Sequence, residues 1–98
     1  MKGYDIDGVL TAGVKLEKGS VVISGRTFGE YDDFAKRAAQ ICPVYIRGVG
    51  MYGDRNAAGH FKASMINFLG VTEFYEDDDV QINIIKATCP KCNVIKVI

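Results

Sequence analysis

The chain has 98 residues, which is the size of one small domain and leaves no room for a separate cap or regulatory domain. Twelve Lys and Arg residues balance 12 Asp and Glu residues, which excludes the general basic surface used for non-specific binding of nucleic acid or anionic membranes. The hydrophobic fraction of 48% is that of a globular protein, and no run of 18 apolar residues occurs. We therefore expect residues 1–98 to form a single soluble domain, located in the cytoplasm and without membrane contact.

The first third of the chain predicts two buried strands. Residues 3–6 are a short apolar segment, and residues 21–23 (Val-Val-Ile) are a β-branched run that stops at Ser24-Gly25. Polar and apolar residues alternate in the segment from Val9 to Ser20, which predicts a small exposed hairpin.

The middle of the chain predicts a helix over residues 28–40. Thr27 and Glu30 form a capping-box pattern, and apolar residues then recur at helical spacing, namely Tyr31, Phe34, Ala35, Ala38 and Ile41. A third strand over residues 44–46 and a glycine-rich loop, Gly48–Gly53, follow.

The last part of the chain predicts two further helix–strand pairs. A helix over residues 57–69 ends at Gly70, and a strand follows at residues 72–75. Asp79 is predicted to cap a third helix that reaches about Ala87, and residues 94–97 are a fifth strand. This alternation predicts an α/β protein with a three-layer Rossmann-like fold, about five mostly parallel strands and helices on both faces.

Polar side chains follow the predicted strands at the edge where parallel sheets bind their ligands. The first strand leads to Asp5 and Asp7, the second to Ser24 and the fourth to an acidic run, residues 76–79, while Lys62 lies on the helix before that strand. Such a collection of carboxylates requires a cation, and oxygen ligands suit Mg²⁺. An acidic run alone is most often a solvated helix start, but two aspartates at a spacing of two favour a site.

These residues resemble the motifs of the haloacid dehalogenase-like phosphohydrolases. The segment Asp5-Ile6-Asp7-Gly8-Val9-Leu10-Thr11 is similar to their DxDGVLT signature, and Val22-Ile23-Ser24-Gly25-Arg26-Thr27 is similar to their second motif. Lys62 and Glu76-Asp77-Asp78 stand in order where the third and fourth motifs belong. The resemblance covers essentially the whole chain and implies a single phosphatase domain without a cap.

The resemblance implies an Mg²⁺-dependent phosphomonoesterase of two steps. Asp5 would form an aspartyl-phosphate, and Asp7 would protonate the leaving alcohol and then activate water. The second motif, Ser24-Gly25-Arg26, would bind substrate, and Lys62 and Ser24 would hold the phosphoryl oxygens. The metal ligands would be Asp5, the Asp7 carbonyl, Asp77 and Asp78. An acid four residues after Asp77 is absent, since Gln81 stands there, and this leaves Asp78 or Glu76 as the second acid of the fourth motif.

The substrate and partners stay open at this point. Only 16 residues separate Asp7 from Ser24 and the loop from Gly48 to Gly59 is short, so the site is expected to be open. A homo-oligomer in which a neighbour supplies the lid is one alternative. Another is a macromolecular phosphate, because the motif order is similar to the phosphatase half of phage-type polynucleotide kinases, which act on nucleic-acid ends. In that case Arg26 and Arg55 are the expected phosphate contacts. A third alternative is a non-catalytic binding or assembly module.

The three cysteines are expected to be reduced, because an odd number with only Cys89 and Cys92 close together does not suit a secreted disulfide framework. Cys89-Pro90-Lys91-Cys92 also allows zinc binding or redox chemistry. In the strand order implied by the resemblance, Cys42 and this pair lie at opposite margins of the sheet, which argues against one shared zinc and favours a structural turn.

Overall fold

The computed structural model describes all 98 residues, and its main regular elements are five strands and three α-helices. In chain order these are β1 (Lys2–Tyr4), β2 (Val21–Thr27), α1 (Asp33–Ala39), β3 (Val44–Gly48), α2 (Arg55–Leu69), β4 (Glu73–Glu76), α3 (Asp79–Thr88) and β5 (Asn93–Lys96). The strands form one all-parallel sheet in the order β3-β2-β1-β4-β5. The predicted α/β class with a Rossmann-like layered sheet is confirmed.

Alternation along β2 divides the core between the two faces of the sheet. Val21 and Ile23 pack into one buried cluster with residues of α2 and α3. Val22 points the other way and joins a second cluster, which includes Val9 and, from α1, Ala35. Helices therefore cover both faces. The order of the strands also places β3 and β5 at opposite margins, which is the separation expected for the cysteines.

The predicted hairpin between Val9 and Ser20 is wrong. The chain instead makes a wide turn over Ile6–Leu10, in which Asp7 and Gly8 have non-helical backbone dihedrals, and then continues to β2 without regular structure. Two backbone hydrogen bonds, from Thr11 to Ile6 and from Val14 to Val9, close this turn at 3.1 Å each. Apolar side chains of this segment pack on the sheet instead. Val9 is fully buried there, and Val14 and Leu16 pack against the same cluster.

The predicted helix over residues 28–40 is interrupted. The capping box of Thr27 and Glu30 forms as expected, but it begins only a short 3₁₀ turn, Phe28–Glu30. The backbone leaves helical geometry at Tyr31, and Asp32 caps the true helix by accepting a hydrogen bond from Ala35 N at 3.0 Å. Two competing N-caps five residues apart explain the error.

Other boundaries differ by one to four residues. β2 runs on to Thr27, so Ser24 lies inside a strand, and Asp78 rather than Asp79 is the N-cap of α3. Gly70 ends α2 in the left-handed region (φ 73°), as predicted. No helix has both the length and the apolar character needed to cross a membrane.

Candidate active site

The C-terminal ends of the parallel strands form one edge of the sheet, and a buried ion-pair triad of Asp5, Lys62 and Glu76 lies there. Asp5 directly follows β1, and its N–H donates to the Tyr75 carbonyl at 3.1 Å, which extends the strand pairing to this residue. Lys62 Nζ lies 3.0 Å from Asp5 Oδ1 and 2.6 Å from Glu76 Oε1. All three residues are buried, so the lysine is held where β1, β4 and α2 meet.

Burial and mutual repulsion decide which acid of the triad is charged. Burial raises the pKa of Asp5, and the charge of Lys62 offsets part of this rise. Burial and then the neighbouring Asp5 carboxylate raise the pKa of Glu76 to about 7. Burial lowers the pKa of Lys62, but the two carboxylates raise it by more, so the lysine is protonated. With a pKa of about 7, Glu76 is an acid of this triad that titrates near neutral pH.

Asp77 completes an acidic cluster with Asp5 and Glu76. Each of these residues offers a carboxylate oxygen, and the three oxygens lie within 4.8 Å of one another. Desolvation and the contact with Glu76 raise the pKa of Asp77. Gly8 has a φ of 76°, and a Cβ there would overlap the Asp77 carboxylate, so only glycine lets the loop after β1 approach this acid. The donor set fits a hard divalent cation such as Mg²⁺.

Asp7 is turned away from that cluster and is held by Arg26. The guanidinium donates from Nε to Asp7 Oδ2 at 3.0 Å and from Nη2 to Oδ1 at 2.9 Å. Arg26 Nη1 also donates to Asp32 Oδ1 at 2.8 Å and to the Glu30 carbonyl at 3.1 Å. Arg26, which was predicted as a substrate contact, lines the pocket; it is 9% exposed, and four of its five N–H donors are engaged within the protein.

The predicted phosphate-binding residues Ser24 and Gly25 lie side by side on β2. Ser24 is fully buried, and its Oγ accepts a hydrogen bond from Arg26 N at 3.1 Å. Gly25 lines the pocket, and a Cβ built there would lie 2.5 Å from Ala58 Cβ, so a larger residue would push α2 away. The resemblance placed both residues at the site, but of the two only Gly25 lines the pocket with Lys62 and Asp5.

The carboxylate of Asp78, which was predicted as a metal ligand, has other partners in this structure. Its Oδ2 accepts from Gln81 N at 3.3 Å as the cap of α3, and its Oδ1 pairs with Arg55 at the start of α2. The hydrogen bonds from Arg55 lower the pKa of Asp78. The cluster of nearby carboxylates contains Glu76 and omits Asp78, so the geometry favours Glu76 as the second acid of the fourth motif.

The pocket bounded by these residues is a polar cleft of about 320 Å³ whose lining includes a single apolar residue, Ala58. Its lining also contains residues that were not predicted as site residues, among them Arg47 and Gln81. Arg47 donates to the carbonyls of Gly25, Val49 and Met51 and so braces the loop after β3. The sequence signal that could have identified Arg47 is its position directly after the third apolar run. The rule that the polar residue after a strand lies at the ligand-binding edge identified Asp5 in the same way.

Comparison with known proteins adds nothing to this description. No protein-family model, no curated protein and no solved structure matches the chain. The resemblance to the phosphohydrolases therefore rests on the motifs themselves.

Proposed function

We propose that this protein is an Mg²⁺-dependent phosphomonoesterase that works through an aspartyl-phosphate on Asp5. The observation that carries the proposal is that Asp5, Lys62 and Asp77 line one polar pocket, while Glu76 is buried in contact with Lys62 and close to the other two acids. A carboxylate beside a buried cation, in a cleft lined by charged and polar groups, is suited to attack on an anionic phosphoryl group.

In the first step, Asp5 Oδ attacks phosphorus, the bond from phosphorus to the ester oxygen breaks, and Asp7 gives its proton to the leaving alcohol. In the second step, water attacks the aspartyl-phosphate, its proton passes to Asp7, and inorganic phosphate leaves Asp5 as a free carboxylate. Arg26 orients Asp7 at the mouth of the pocket, where the Asp7 side chain is 63% exposed. Lys62 holds the charge of Asp5 before attack.

Asp5, Asp77 and Glu76 are the residues that would hold Mg²⁺, together with the Asp7 carbonyl that the resemblance implies. The metal would supply charge neutralisation for the phosphoryl oxygens. The raised pKa values of these acids agree with the need for a cation, because three carboxylates share the charge of one lysine.

The test is hydrolysis of an aryl phosphate by the purified protein with and without Mg²⁺, with trapping of the acyl-phosphate on Asp5. We expect metal-dependent turnover and a phosphorylated peptide that contains Asp5 and loses its phosphate in hydroxylamine. Asp33→Asn, an exposed acid on α1, is the matched control for Asp5→Asn. Turnover that persists in Asp5→Asn would contradict the proposal.

A second candidate is the removal of phosphate from nucleic-acid ends, and one observation favours it. Phe28, Met51 and Tyr52 are 70–83% exposed on the loops that follow β2 and β3, beside the open pocket. Exposed aromatic rings next to a phosphate site offer stacking surfaces for bases. The neutral net charge provides no extended basic track, so this candidate requires recognition of an end rather than of a long strand.

A further inference from the structure

Cys89 and Cys92 are brought together by the turn that joins α3 to β5. The Cys92 N–H donates to the Cys89 carbonyl at 3.0 Å, which closes a β-turn with Pro90 and Lys91 at its centre. Such a turn holds its first and last Cα atoms less than about 7 Å apart, and disulfides join Cα atoms that are about 4.4–6.8 Å apart. The backbone therefore places the two cysteines within reach of a bond between them.

The two thiols also share one apolar environment. Cys89 is 2% exposed and belongs to the core cluster formed with α2 and α3, and Cys92 packs against that cluster while remaining partly exposed. The Cys89 Sγ donates to the Ala63 carbonyl at 3.2 Å, whereas the Cys92 Sγ has a long contact of 3.8 Å with the Asn93 carbonyl. The Cys92 sulfur is thus the accessible one and the less firmly held.

The third cysteine cannot compete for this pair. Cys42 lies just before β3, and β3 and β5 are at opposite margins of the sheet. Cys42 is buried, and its Sγ donates to the Glu17 carbonyl at 3.1 Å. Within one chain, Cys89 and Cys92 therefore have only each other as thiol partners.

The acidity of these thiols favours a lasting bond over a catalytic dithiol. Burial and then the neighbouring Cys89 raise the pKa of Cys92 to about 11, and burial also raises the pKa of Cys89. Disulfide oxidoreductases lower the pKa of their reactive thiol instead. Thiols of high pKa are poor leaving groups, so a disulfide between them is slow to reopen by thiol attack.

We propose that Cys89 and Cys92 form an intramolecular disulfide when the protein meets a small-molecule disulfide such as oxidised glutathione. The Cys92 thiolate attacks glutathione disulfide, which gives a mixed disulfide and releases one glutathione. The Cys89 thiolate then attacks the Cys92 sulfur and releases the second. The cysteines are oxidised, glutathione is reduced, and the protons of both cysteines end on the two glutathione thiols.

This bond would tie the end of α3 to the start of β5. The other end of α3 carries Asp78 and Gln81, which line the pocket, so the cysteines lie at the opposite edge of the sheet. The proposal is therefore independent of the proposed phosphatase function, and aryl phosphate turnover should not depend on the redox state of the pair.

The test is equilibration of the purified protein with oxidised glutathione, followed by alkylation in denaturant and mass spectrometry. We expect the reduced wild type to take up three alkyl groups and the oxidised protein to take up one, on Cys42. Cys42→Ser is the matched control and should form the same disulfide. Cys92→Ser should keep Cys89 as a buried thiol, and Cys89→Ala should stop at a glutathione adduct on Cys92.

Thermal unfolding gives a second readout. Oxidation should raise the melting temperature of the wild type by roughly 5–10 °C, since even a four-residue loop restricts the unfolded chain, and dithiothreitol should reverse the rise. Cys92→Ser should show no rise. Three alkylated thiols after oxidation, a glutathione adduct that persists on Cys92 of the wild type, or a melting temperature that falls on oxidation would each overturn the proposal.

Discussion

Arg26 grips the carboxylate of Asp7 with two hydrogen bonds, of 3.0 and 2.9 Å, although the two residues are 19 positions apart in the chain. The guanidinium is itself fixed by Asp32 and by the Glu30 carbonyl. The planar guanidinium donates two hydrogen bonds, which fix the orientation of the carboxylate, and its positive charge balances the negative charge of the carboxylate. Asp7 is thereby held by a frame made of β2 and the start of α1.

Arg26→Lys should lower kcat on the order of 10²-fold and change KM little, because the ammonium cannot hold Asp7 with two parallel bonds. The free energy of unfolding should fall by about 1–2 kcal/mol, since Asp7 and Asp32 are largely exposed. Steady-state kinetics and urea unfolding measure both effects. A rise in KM at constant kcat would instead identify Arg26 as a substrate contact.

Asp5→Asn should abolish turnover without unfolding the protein. The amide keeps the shape of the carboxylate, and Lys62 retains Glu76 as a partner at 2.6 Å. Removal of one of two buried acids also relieves repulsion, so the metal-free melting temperature should not decrease. Activity on an aryl phosphate and thermal unfolding test this, and a collapsed melting curve would show that Asp5 is needed for folding instead.

The stability of the metal-free protein should fall as the pH rises from about 4.5 to 7. Glu76 has a pKa raised from 4.5 to about 7, so the folded state binds this proton more tightly than the unfolded chain does. The stabilisation is complete below the unfolded pKa and is lost as the pH rises through 7, and its full size is on the order of 3 kcal/mol. Urea unfolding at several pH values should show this slope in the wild type and a flatter one in Glu76→Gln. An equal slope in both would place the titrating group elsewhere.

Mg²⁺ should raise the melting temperature, because a ligand that binds only the folded state stabilises it by RT ln(1 + [L]/Kd). Asp77→Asn should remove most of this rise, since Asp77 supplies one of the three clustered carboxylates. Asp79→Asn is the control, because Asp79 is an exposed acid of the same run that pairs with Lys96. Equal shifts in both variants would move the metal site away from Asp77.

The two substrate classes differ in their use of Tyr52, which is 83% exposed beside the pocket. If a nucleic-acid end is the substrate, Tyr52→Ala should raise KM for a 3′-phosphorylated oligonucleotide about tenfold through lost stacking and spare an aryl phosphate. Phe68→Ala is the control, since Phe68 is 82% exposed near the far end of α2. No effect of Tyr52→Ala on the oligonucleotide would leave the generic phosphatase as the better description.

Local patterns in the sequence determined the fold class and the edge that carries the site. Alternating strand and helix segments specify a parallel sheet, and the first polar residue after each apolar run lies at its carboxyl edge, which is how Asp5 could be recognised. The stop of α2 at Gly70 was also readable, because a left-handed cap depends on one residue. These features depend on neighbours within a few positions.

Contacts between distant segments decided the rest. Arg26 binds Asp7 across 19 positions, and Lys62 binds Glu76 across 14, so neither pairing leaves a local pattern. The segment from Val9 to Ser20 alternated like a hairpin, yet burial of Val9 against the sheet outweighed that pattern. Gln81 looked like a departure from a motif, and only the tertiary structure shows that its side-chain oxygen is buried in the wall of the pocket. Desolvation and pairing depend on the whole fold, and that is why the tertiary structure had to decide them.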